Sequence, residues 1–103
     1  MMSTNETARS KFQPGQIVAT PAAIKAMRAS GQNAHDFLVR HLRGDWGDLD
    51  DEDRRMNDEA LIDGSRLLSA YATKQGVKLW IITEAVGDDS KRPCTTILKP
   101  EEY

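Results

Sequence analysis

The side chains of this 103-residue chain that can do chemistry are two histidines, one cysteine and sixteen carboxylates. His41 and Asp45 stand four residues apart, with His35 earlier. On a helix, that spacing puts His41 and Asp45 on one face. There the carboxylate can orient the imidazole as a general base, or the pair can supply two ligands to a metal. With Arg66 and Glu84 converging on the same cleft, the set would make a small hydrolase. The alternative is structural. His41 shares an apolar helical face with Phe37, Leu38 and Leu42. A buried histidine needs hydrogen bonds at its ring nitrogens, here expected from the Gly44–Gly47 turn. Asp45 then reads as an Asx-type turn former. This bracing reading of His41, Asp45, Trp46, Arg66 and Glu84 is the favoured one, and no catalytic residue is assigned.

Other chemistry is thinly represented. Asp48, Asp50, Glu52 and Glu59 fall at calcium-loop positions, but Asp53 stands where the loop needs glycine and Arg55 where it needs an apolar residue. Helix capping explains those acids better. Cys94 has Lys91 and Arg92 nearby but no histidine partner in sequence, and a single cysteine excludes an internal disulfide. There is no phosphate-cradling glycine loop, no nucleophile elbow and no His-Glu-x-x-His. No cofactor or metal is expected.

Charge points instead to partners. The formal net charge of −2 conceals two opposed regions. Residues 45–63 hold nine acidic and two basic side chains, a net −7, and the remainder carries +5. Asp50, Asp51, Glu52 and Asp53 open this acidic stretch, which can face water, pair internally or meet a partner. Its carboxylates could compete for the Lys and Arg groups of a nucleic-acid-binding protein. Direct nucleic-acid binding is not expected at a pI near 5.6 without a basic face carrying aromatics. Trp80 and Tyr71 are expected together on a sheet face opposite the helices, a second partner-binding candidate. Trp46, between two glycines, reads as a core plug.

The elements that must position these residues follow from pattern. Met1–Lys11 is nearly devoid of apolar residues and reads as a flexible tail before one domain over 12–103. Gln16–Ala19 reads as a short strand. Thr20 and Pro21 start a helix that Gly31 stops, and Asn33 caps a second over about His35–Arg43. Asp50 or Asp51 caps a third to about Ile62, with Met56, Ala60 and Leu61 as its apolar side. Arg66–Thr73, Val77–Ala85 and Thr95–Lys99 alternate as strands, joined by Lys74–Gly76 and a polar loop over Gly87–Pro93. The expected class is α+β: an N-terminal strand and three helices, then a three-stranded antiparallel meander covered on one side. Apolar runs are too short for a membrane span, and the polar N-terminus has no secretory pattern, so the expected location is the cytoplasm.

Several strings carry a resemblance: Pro14–Pro21 (PGQIVATP), Arg40–Leu49 (RHLRGDWGDL), Gly64-Ser-Arg66, Ser69-Ala-Tyr71, Trp80–Glu84 (WIITE), Thr95-Thr96 and Pro100–Tyr103 (PEEY). Together they resemble a family of short bacterial proteins of plasmids, phages and other mobile elements. Members are often labelled "plasmid-related protein" or "type I restriction endonuclease subunit". The segment Gly87–Cys94 is longer here than the family pattern. The resemblance implies a small accessory protein of a mobile genetic element. Its action would be non-enzymatic protein–protein interaction, with a host restriction or CRISPR complex as the partner class. A small hydrolase or toxin and a self-associating homodimer are the alternatives.

Overall fold

The computed structural model of the chain describes residues 10–103. The tail expected over 1–11 thus falls mostly outside the described residues. Within them, the Lys11 N–H donates to the Leu42 carbonyl at 2.8 Å, so the domain is tied down from that point.

Strand β1 spans Gln16–Ala19. Helix α1, Pro21–Ala29, starts where the Thr20 hydroxyl accepts from the Ala23 N–H at 3.1 Å and Pro21 takes the first helical position. Helix α2, Ala34–Leu42, opens on a capping box: Asn33 accepts from the Asp36 N–H, and Asp36 accepts from the Asn33 N–H. Helix α3, Asp51–Asp63, is capped by Asp50 and ends at a left-handed Gly64. Strands β2 (Leu67–Ala72), β3 (Lys78–Thr83) and β4 (Cys94–Leu98) follow, then a 3₁₀ turn over Pro100–Glu102.

The class is α+β, but the sheet is not the three-stranded antiparallel one expected. It has four strands in the order β1-β4-β3-β2, and β1 lies parallel to β4. The free edge of β4 supplies partners for the first strand's backbone: the Gln16 N–H donates to the Pro93 carbonyl and the Thr20 N–H to the Ile97 carbonyl, each at 3.0 Å. The antiparallel pairings β2–β3 and β3–β4 are present as a meander.

Register decides which residues share a face. Leu67, Ser69 and Tyr71 pair with Thr83, Ile81 and Leu79, and α1 and α2 close this side with Met27, Phe37 and Leu38. Tyr71 is therefore a core residue at 2% exposure, packed on Phe37, and not a neighbour of Trp80 on the outer face. The expectation failed because alternation alone does not say which face of β2 matches which face of β3. The outer face carries Leu68, Trp80, Ile82 and Leu98. The C-terminal turn folds back there, setting Tyr103 edge-on to Trp80 at 5.8 Å with the Arg66 guanidinium over the Tyr103 ring at 5.4 Å.

Helix α3 flanks the β2 edge instead of covering a face. It buries only Asn57 and Ala60. Met56, expected inside, is 56% exposed, and Ile62 is 89% exposed. Polar bonds do the anchoring: the Asn57 amide to Leu68, the Trp46 Nε1–H to Asp58 Oδ1 at 3.1 Å, and Arg54 to the carbonyls of Gly47 and Leu49.

Candidate interaction site

The histidine chemistry is locked inside. His41 is 0% exposed and packs edge-on against the rings of Phe12 and Trp46, which also contact each other. Its Nδ1 meets Ser69 Oγ at 2.6 Å and its Nε2 meets Thr83 Oγ1 at 2.8 Å, so its partners are strand hydroxyls and not the Gly44–Gly47 turn. The chain of bonds continues from Thr83 to Thr95 at 2.7 Å and from Thr95 to the Pro14 carbonyl at 2.7 Å. A carbonyl only accepts, so Thr95 spends its proton on Pro14. Thr83 must then donate to Thr95, and His41 must donate from Nε2 to Thr83. Nδ1 is left to accept from Ser69. The neutral Nε2–H tautomer satisfies every member. Burial, with the facing charge of Arg92, holds the imidazole down to about 3. Such a group offers no proton-transfer position to a substrate arriving from solvent.

The remaining motif residues are dispersed. Asp45 takes a 2.8 Å ion pair from Arg40 and accepts from the Gly47 N–H at 3.2 Å. The Arg40 bond holds its carboxyl below the ordinary range, while Arg40 is raised in turn. Arg40 also lies over the Tyr71 ring at 4.4 Å, and the Tyr71 hydroxyl donates to the Asp45 carbonyl. Trp46 is 2% exposed, joined to Ala60 and Leu67 with Phe12 against them. Arg66 is exposed beside Tyr103, and the Glu84 backbone pairs with Cys94. The structure thus does not gather Arg66 and Glu84 around His41. Among the described residues no group of three or more His, Cys, Asp or Glu is placed to hold a metal, and Asp50 serves as the α3 cap. No helix there is long and apolar enough to cross a membrane.

A trough does form between α3 and the outer face of the sheet, enclosing about 530 Å³. Leu49, Met56, Ala60, Leu68 and Trp80 give it an apolar lining, with Asp53, Glu59 and Asp63 along the helix side and Arg66 opposite. Asp51 and Glu52 are exposed on the first turn beyond it. The acidic helix does not fold back on the basic residues of the strands. The ion pairs among the described residues are Arg40–Asp45, Arg55–Glu59 and Lys99–Glu101, so α3 holds only one, internal to itself. Sequence reading reached Trp80 and the acidic turn separately. It missed that Leu49, Met56 and Leu68 join them, because no period places a helix beside a strand edge.

No family model, curated protein or solved structure matches the chain.

Four bracing residues also escaped the sequence. Asn57 sits among charged neighbours with no local signal. Arg92 belongs to a polar loop, yet donates to the carbonyls of Ala60, Ser65 and Glu84. Thr83 and Thr95 look like ordinary strand residues, although their inward position facing His41 was a usable signal.

Proposed function

We propose that this protein is a non-enzymatic accessory protein of a mobile genetic element that works by docking on another protein. The observation that carries the reading is the α3 trough. Three helix carboxylates border an apolar lining there, only Glu59 of them in an ion pair, with Arg55 of its own helix, and His41 is sealed in the core. Exposed apolar surface rimmed by charge is what a specific interface uses, the apolar part supplying affinity and the charge supplying on-rate and selectivity. The resemblance to short plasmid and phage proteins supplies the biological setting. It makes a restriction or CRISPR complex the partner class, one whose nucleic-acid-binding surfaces are rich in Lys and Arg.

The test is capture of partners from host lysate by the immobilised full chain, compared with two variants. One reverses charge at Asp50, Asp51, Glu52 and Asp53, and the other is Trp80→Ala. Loss of the same captured protein in both supports docking through this region. Retention of every captured protein by both variants overturns it.

A further inference from the structure

We infer that the trough beside α3 receives a basic amphipathic segment of the partner protein, one large apolar side chain seated in the trough and flanking Lys or Arg residues on the helix carboxylates. The inference rests on the docking proposal and names the chemistry of the occupant.

Charge complementarity is the first argument. Asp53 meets no cation within 4 Å among the described residues, Asp63 has Arg92 only beyond that distance, and Glu59 shares only Arg55 of its own helix. The exposed Asp51 and Glu52 extend the field past the trough along α3. A cationic segment gains from this whole row, and nucleic acid is repelled by it. The lining is the second argument. Leu49, Met56, Leu68 and Trp80 present carbon, and Met56 is more than half exposed. A volume near 530 Å³ falls within the roughly 300–1,000 Å³ of ligand pockets, so it accepts a bulky side chain and its neighbours. Methionine suits such a role, since its flexible thioether adapts to the shape it meets. An ion or a highly charged tail alone would leave this apolar surface unused. Imitation of phosphate by an acidic helix requires no such trough. Charge also sets a direction. Arg66, stacked on Tyr103, closes the side opposite α3 with positive charge. The segment's cations must lie toward α3 and its apolar side chain toward Trp80.

The experiment is selection of random 16-residue peptides displayed on phage against the full chain, followed by affinity measurements on the enriched peptides. The expected peptides combine net positive charge with at least one large aliphatic or aromatic residue. Their binding is expected to weaken about tenfold or more in Asp53→Lys/Glu59→Lys/Asp63→Lys, since several exposed ion pairs become repulsions. It is also expected to fall in Met56→Glu, a change at an exposed position that leaves the core untouched, and to stay within about twofold in the loop variant Asp88→Lys. Neutral or acidic peptides that still depend on Trp80 and Met56 would overturn the basic-segment inference while leaving docking at the trough intact. Basic peptides without an apolar residue would overturn it as well. Peptides indifferent to Trp80→Ala and Met56→Glu would overturn both it and the docking proposal. Concentration-dependent self-association abolished by Met56→Glu would make a second copy the occupant and likewise overturn it.

Discussion

The side-chain amide of Asn57 pairs with both backbone groups of Leu68, donating from Nδ2 to the carbonyl at 2.7 Å and accepting at Oδ1 from the N–H at 3.1 Å. Leu68 lies on the outer edge of β2, where an unpaired strand would invite another chain. The next outward residue, Ala70, is covered in a different way. Its N–H donates to the Trp46 carbonyl at 3.1 Å, and its carbonyl accepts from the Asp48 N–H at 2.7 Å. One side chain and one loop thus close the edge, and the same amide fixes α3 where it forms a wall of the trough.

Asn57→Ala is expected to destabilise the fold by about 2–3 kcal/mol, because two hydrogen bonds go and the backbone groups of Leu68 are left beside a methyl. Urea unfolding at neutral pH measures it. Asn57→Asp keeps the shape and still loses, since a carboxylate facing the Leu68 carbonyl cannot donate. A loss below about 0.5 kcal/mol for both would show that water replaces the amide freely.

The loop contribution predicts a sharper effect at Gly47. It adopts a positive φ of 78°, and a Cβ there would overlap the Ala70 carbonyl oxygen and come within 2.7 Å of Tyr71 Cδ1. Gly76 has a similar φ of 85° but nothing within 4 Å of an added Cβ. Gly76→Ala should therefore cost only the conformational strain, about 1 kcal/mol, whereas Gly47→Ala should cost about 3 kcal/mol or more. Comparing the two melting temperatures separates backbone strain from collision.

The His41 network makes stability depend on pH in a defined window. Its folded value, about 3, lies below the ordinary 6.5. Between these limits the unfolded chain binds a proton that the folded one refuses, so stability is full above about 6.5 and falls as pH drops toward 3. The slope from this group reaches at most about 1.4 kcal/mol per pH unit. Asp45, depressed by Arg40, adds its loss only below the ordinary carboxylate value of 3.8, so the upper part of the window belongs to His41. Unfolding titrations from pH 7.5 to 4 check the direction, and nitrogen chemical shifts check the neutral Nε2–H form. A flat profile over that range would contradict the network.

Local physics made much of this fold legible. Thr20-Pro21, Asn33 with Asp36, Asp50 and Gly64 mark helix ends because capping is a contact between near neighbours. Val77, Leu79 and Ile81 mark a strand because alternation is likewise local. The parallel return of β1 to β4, the face taken by Tyr71 and the exposure of Met56 were not legible, because each depends on pairing between distant segments. The site divided the same way. Trp80 and the Asp50–Asp53 turn could be named from composition, but the trough between them depends on contacts between distant segments, among them Asn57 to Leu68.

Arg92 shows how far such a long-range contact extends. Helix α3 has no basic residue in its last turn. Arg92, from the loop before β4, supplies the charge: its guanidinium donates to Ala60 at 3.1 Å, Ser65 at 2.7 Å and Glu84 at 3.1 Å. It meets the negative end of the helix dipole and binds the helix end to the β3–β4 hairpin. A lysine ammonium cannot spread over three carbonyls as the planar fork does, so Arg92→Lys should cost about 2 kcal/mol and Arg92→Met somewhat more. Arg92 also disfavours the charged imidazole of His41. In Arg92→Met the His41 value should rise above about 3 while staying well below 6.5, since burial, the larger cause, remains; the acid loss of stability should then end at a somewhat higher pH and be smaller in total. A merely structural role for Arg92 would lower stability equally at every pH, so the pair of titration curves distinguishes the two.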